Sequence, residues 1–145
     1  MFDLAGKTAL VTGAGQSVGA GIAQALAVQG ASVLVNDVIE ERAQSIVDEI
    51  NADSGTAMPL VFDVTDRAAV IDAFQISGHI DIVVNNAGNA GTENMNPTPF
   101  SDMDPNDWEA PIRVNLYGVL HTTHAALPNM IESGWGRIIT ISSGA

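Results

Sequence analysis

Five short apolar runs, spaced by glycine-rich turns and helical stretches, constrain this chain more than any other feature in it. They are Thr8–Thr12, Ser32–Asn36, Ala57–Phe62, Ile80–Val84 and Ile138–Ile141, and each is continuous rather than alternating. A strand wetted on one face alternates polar and apolar residues, whereas a strand covered on both faces does not. Between the runs lie segments with helical spacing. Ile22–Gln29 repeats apolar residues at helical intervals and stops at Gly30. Glu40–Asn51 puts Ile46, Val47 and Ile50 on one face, Asp66–Ile76 follows, and a long helix is expected from about Pro105 to Ile131, with Pro111 interrupting its start. Strand and helix alternate throughout, so the expected fold class is α/β, a doubly wound parallel sheet in the order 3-2-1-4-5.

That order places function before any motif is read. In open sheets of this kind ligands bind beyond the carboxyl ends of the strands. Gly13, Asp37, Asp63, Asn86 and Ser143 close the five runs and are expected along one rim. Composition narrows the ligand. Seventeen acids face five bases, for a net charge of −12, which argues against nucleic acid and against anionic membrane surfaces. A phosphate-bearing small molecule remains compatible, because backbone N–H groups hold phosphate without basic side chains. There is no cysteine, hence no disulfide framework and no thiolate metal site. The start carries no signal-peptide pattern and no apolar run has the length of a membrane span, so a cytoplasmic protein of one domain over 1–145 is expected.

The stretch "VTGAGQSVGAG" leaves the first run and opens a helix. Its glycines allow a tight turn, and a helix start offers free N–H groups to a pyrophosphate. The strict G-x-G-x-x-G spacing fails because Val18 stands at the third glycine. The spacing T-G-x-x-x-G-x-G nearly fits through Thr12, Gly13 and Gly19, with Ser17 where a glycine belongs. The plain alternative is a structural turn. Asp37 ends the second run, where a carboxylate accepts hydrogen bonds from ribose hydroxyls and repels a 2′-phosphate. Residues 38–41 are Val, Ile, Glu and Glu, with no cation, so NAD fits better than NADP; the alternative is a capping or solvent-facing acid. Asp63 either meets an adenine amino group with Val64 beside it, or Asp63 or Thr65 caps the next helix. "NNAG" at 85–88 suggests an amide network and close ligand approach. His121 and His124 are spaced as a metal pair would be, but an amphipathic helix explains them and no metal site is expected.

Together these motifs resemble the short-chain dehydrogenase/reductase family over the whole chain. "TGAGQSVG" is similar to its cofactor loop, "DVTD" at 63–66 to its adenine segment, and "NNAG" to a family hallmark. Asn115 in "VNLYG" matches the helix asparagine of its catalytic tetrad, and "GRIITISSGA" resembles the strand carrying its catalytic serine, in register Ser143. The resemblance implies a Rossmann-like domain that binds NAD through Gly13, Gln16, Ser17, Val18, Gly19, Asp37, Asp63, Val64, Asn86, Ala87 and Gly88. It implies hydride transfer between NAD(H) and an alcohol or ketone, with Ser143 and Asn115 catalytic, and a homo-oligomer packed through the long helix. The segment between Asp63 and Asn86 looks about one helical turn, ~4 residues, shorter than the family pattern. At Ser17 two readings stay open: its Cβ crowds a pyrophosphate, or its hydroxyl donates to it.

The family's general acid/base is a Tyr-x-x-x-Lys pair on the helix after the serine strand. The single tyrosine here is Tyr117, followed four residues later by His121, and the single lysine is Lys7, before the first run. The expectation is a domain incomplete at its C-terminal side, with "IITIS" as an exposed apolar edge prone to self-association, and inactive alone. The alternatives are a catalytically silent NAD-binding fragment and an oligomerising interaction module.

Overall fold

In a computed structural model, residues 3–88 and 99–142 are described. Five parallel strands, β1 (Thr8–Val11), β2 (Ser32–Val35), β3 (Thr56–Pro59), β4 (Ile82–Asn85) and β5 (Arg137–Thr140), form one sheet in the order β3-β2-β1-β4-β5. This is the order expected from the apolar runs. The strands differ from the runs by one to three residues at their ends: β1 and β2 stop one residue short, β3 is Thr56–Pro59 against the run Ala57–Phe62, β4 is shifted to Ile82–Asn85 and β5 to Arg137–Thr140. β3 closes on Pro59, which has no N–H for a ladder and sits on an edge strand where that is tolerated.

Alternation along each strand divides the core in two. Ala9, Val11, Val33, Val35, Ile82 and Val84 point to one face, under α1 (Ser17–Val28) and α2 (Glu40–Ala52). Leu10, Leu34 and Val83 point to the other, under α3 (Arg67–Ser77) and the long C-terminal helix. Both faces of the central strands are thus dry, which is why their sequence does not alternate.

Several local expectations are corrected. The first helix starts at Ser17, not Ile22, because the end of the glycine-rich stretch, residues 17–21, is already helical. Asp66, not Asp63 or Thr65, caps α3, accepting from the backbone N–H groups of Ala68 at 2.9 Å and Ala69 at 3.2 Å. The long helix is not uniform. It enters through a 3₁₀ turn at Pro105–Trp108 and α4 (Glu109–Ile112), widens to a π-helix at Arg113–Gly118, and continues as α5 (Val119–Ser133). Pro111 lies just before the widened stretch and lacks the N–H that a regular ladder needs there. β5 is exposed along its length, with Ile138 and Ile139 open to solvent and Ile141 just past it exposed as well; this corrects the covered strand that its apolar run implies and agrees with the expected exposed edge.

At the N-terminal end of the sheet, away from the ligand rim, Lys7 Nζ pairs with the buried Asp81 carboxylate at 2.9 Å and lies 3.9 Å over the Trp135 ring. Asp81 also accepts the Thr8 N–H at 2.9 Å. These contacts tie the entries of β1, β4 and β5 together, and they place Lys7 at the end of the sheet opposite the rim.

Candidate functional site

The rim is built from polar residues that end apolar strands. Thr12, one residue past β1, is buried; its Oγ1 donates to the Val84 carbonyl at 3.3 Å and accepts the N–H groups of Asn86 and Ala87, each at 3.0 Å. Asn86 returns the contact, donating its amide to the carbonyls of Thr12 at 3.0 Å and Gly13 at 3.1 Å. The exits of β1 and β4 are thereby locked side by side. Gly13 has φ +61°, and a Cβ there would lie 2.9 Å from Ala87 Cα, so both the turn and the close approach require glycine.

Asn36 does the same on the other side of β1. Its Oδ1 accepts the Gly13 N–H at 3.4 Å, and its amide donates to the carbonyls of Leu60 at 2.9 Å and Phe62 at 3.0 Å. One buried amide therefore joins the loops leaving β1, β2 and β3. Sequence reasoning passed over Asn36 because it reads as the last residue of a strand; the signal was a polar side chain closing an apolar run.

Asp37 is neither a helix cap by position nor solvent-facing. It is 6% exposed, its Oδ2 accepts the Gly15 N–H at 3.2 Å and its Oδ1 the Ile39 N–H at 3.0 Å. The carboxylate is thus tied to the glycine-rich loop. A Cβ on Gly15 would lie 2.5 Å from Asp37 Oδ2 and 2.6 Å from Arg42 Cβ. Arg42 therefore flanks this corner, one residue beyond the 38–41 window in which no cation occurs; its place in the first turn of α2 was the available signal.

The start of α1 carries no side-chain cap. Its N-cap Gln16 is extended and exposed, Ser17 is exposed at φ +50°, Val18 is exposed, and Gly19 is buried against Asn86. Asp63 is exposed and accepts the Thr65 N–H at 2.8 Å, whereas Val64 is buried and touches the C-terminal helix at Gly118 and His121. His121 is thus a loop contact rather than simply a polar residue of an amphipathic face. Asn85, beside Asn86, is buried; it accepts the Thr122 hydroxyl at 2.5 Å and donates to Thr123 Oγ1 at 3.3 Å. Asn115 lies in the π-helical stretch, and a Cβ on Gly88 would come within 2.9 Å of its Oδ1, so Asn115 reaches the exit of β4. π-helical turns inside α-helices recur at functional sites.

Gly13, Gln16, Ser17, Val18, Gly19, Asp37, Asn86, Ala87 and Gly88 thus line the exits of β1, β2 and β4, Asp63 and Val64 follow β3, and Asn115 meets them from the helix. Ser143 lies outside the described residues, as does most of the Asn89–Asp104 loop considered as a substrate border.

A doubly wound sheet with an uncapped glycine-rich helix start and an acid at the end of the second strand defines a dinucleotide-binding type of fold. The chain belongs to the short-chain dehydrogenase family, whose model matches residues 7–145. It is 40% identical over 147 residues to the oxidoreductase UcpA of Salmonella typhimurium, covering 99% of this chain and 54% of the relative. It is also 40% identical to the 7alpha-hydroxysteroid dehydrogenase of Escherichia coli, covering 98% and 55%. Among solved structures it superposes on a gluconate 5-dehydrogenase from Burkholderia cenocepacia in complex with NADP and tartrate (TM-score 0.86, 40% identity, 98% of this chain and 55% of that one). A 7 alpha-hydroxysteroid dehydrogenase complexed with NADH and 7-oxo glycochenodeoxycholic acid gives TM-score 0.88 at 36% identity, covering 97% and 55%. The chain spans about half the length of the relatives it matches. No described helix is long and apolar enough to cross a membrane.

Proposed function

We propose that this chain is the dinucleotide-binding part of an oxidoreductase that moves hydride between NAD(H) and an alcohol or carbonyl substrate. The observation that carries the reading is the convergence of the glycine-rich loop, Asp37 and Asn86 at one rim, locked by Thr12 and Asn36. The residues fit the cofactor. The α1 start, Ser17, Val18 and Gly19 after the N-cap Gln16, presents N–H groups with no side-chain cap to a pyrophosphate, and Gly13 makes the turn that leads into it. Asp37 takes the adenosine ribose, Asp63 and Val64 the adenine, and Asn86, Ala87 and Gly88 the nicotinamide side. The bound dinucleotide supplies the hydride acceptor or donor. Ser143 and Asn115 are the proposed catalytic residues of this chain, the serine holding the substrate oxygen and the asparagine a proton-relay water.

NAD over NADP rests on Asp37, whose fixed carboxylate repels a 2′-phosphate. Arg42 beside it is the group that would soften that preference. A cytoplasmic homo-oligomer built through the exposed apolar residues Leu116, Leu120, Leu127 and Ile131 of the long helix is part of the same reading.

The test combines binding and turnover. NADH titration is expected to show binding, with NAD(H) preferred over NADP(H). Asp37→Ala, with its fold checked by thermal melt, is expected to lower NADH affinity about tenfold or more and to narrow the NAD-to-NADP ratio. Unchanged affinity for both removes Asp37 from the site. Reduction of NAD by an alcohol supports the oxidoreductase reading, and no binding of either dinucleotide sinks it.

A further inference from the structure

His121 stands three residues into α5, 57 residues from Val64, and its Nδ1 lies 3.0 Å from the Val64 carbonyl oxygen. A carbonyl oxygen only accepts, so Nδ1 carries the hydrogen of this bond. The ring also stacks near Tyr117, with centroids 6.3 Å apart and planes 23° apart, which limits its swing. A second contact acts on the same loop residue: a Cβ on Gly118 would come within 2.7 Å of Val64 Cγ2, so the helix and the loop touch with no room between them. Val64 is held at its side chain by packing and at its carbonyl by His121.

We infer that His121 is a positioning residue for the nucleotide: through the Val64 carbonyl it fixes the loop after β3 at the height at which Asp63 and Val64 meet the adenine. This deepens the dinucleotide reading and rests on it. The same helical run carries Asn115 in its π-helical stretch, so one element sets both the adenine loop and the asparagine at the exit of β4. The start of the loop is held by the Asn36 amide on the carbonyls of Leu60 and Phe62, and the last of these bonds falls two residues short of Val64. Asp63 makes its described side-chain bond within the loop, to Thr65, and the α3 cap at Asp66 fixes only the loop's far end.

The experiment is calorimetric titration of the 145-residue chain with AMP and with NADH, in the unaltered protein, His121→Leu and His121→Asn. Leucine keeps the bulk and removes the donor; asparagine keeps an N–H near the position of Nδ1. H121L is expected to weaken AMP and NADH by the same factor, about fivefold, the scale of one neutral hydrogen bond. H121N is expected to return both to within about twofold, a rescue that loss of packing alone would not give. Should H121L lack a cooperative melt, His121→Gln, with its amide displaced outward, takes its place, and the same loss is expected. AMP affinity unchanged in the disrupted variant, or H121N no better than H121L, overturns the inference while leaving the dinucleotide reading intact. An unaltered protein that binds neither AMP nor NADH overturns that reading and the inference with it.

Discussion

The hydroxyl of Thr12 accepts the backbone N–H of Asn86 at 3.0 Å, across 74 residues of chain. The same oxygen accepts the Ala87 N–H, so two donors at the exit of β4 depend on one side chain from the exit of β1.

Thr12→Val keeps the shape of the side chain and removes the oxygen. Two backbone donors then lose their acceptor, each at a cost of about 1–3 kcal/mol. The variant is expected to lose about 2–3 kcal/mol of unfolding free energy in urea, and hydrogen exchange at Asn86 and Ala87 should speed up. A loss below about 0.5 kcal/mol would mean that water replaces the hydroxyl there.

Ser17 sits at φ +50°, a backbone region that costs an L-residue roughly 1–2 kcal/mol. Glycine removes that strain and gives back roughly 0.5–1 kcal/mol through the greater freedom of the unfolded chain. Ser17→Gly is therefore expected to raise stability by about 0.5 kcal/mol, read from the denaturation midpoint at constant slope. NADH affinity in the same variant separates the two readings of this position. A rise means that the Cβ crowds the pyrophosphate; a fall means that the hydroxyl donates to it.

Asp81 is buried, which by itself raises a carboxyl pKa; the Thr8 N–H, the Lys7 ammonium and His79 outweigh this and hold it below the ordinary carboxylate range. A group whose folded pKa is depressed stabilises the protein above its unfolded pKa, about 3.9, and loses that stabilisation as pH falls through the folded value. Stability should therefore drop as the solution is taken below about pH 4, as the Lys7–Asp81 pair is protonated apart. Asp81→Asn is expected to cost about 1–2 kcal/mol at pH 7 and to flatten that acid limb in melts from pH 7 to pH 3. An acid limb of unchanged steepness would assign it to other carboxylates.

The order of the sheet, its parallel direction and the rim where its polar residues collect are all legible in the bare chain. Each is a local property repeated: a run such as "SVLVN" is apolar throughout because both its faces are dry, and the residue that ends it lies at the carboxyl edge whatever its partner. The expected Asp37, Asn86 and Gly13 are found there for that reason.

What the linear order could not carry is every relationship that depends on which exit lies beside which. Asn36 looks like the end of a strand until the register of β1, β2 and β3 brings three loops to its amide. Arg42 is one more helix residue until Gly15 lets the loop close on it. His121 reads as a polar residue on an amphipathic helix, and the widening of that helix at Arg113–Gly118 has no local signature beyond Pro111. The early start of α1 was hidden because glycines depress helix propensity, and here the packing of Gly19 against Asn86 and the turn at Gly13 outweigh it. Propensity and hydrophobic period are summed along the chain and can be read there. Hydrogen bonds and close approaches between strand exits exist only once the sheet has set its register, and those contacts shape this rim.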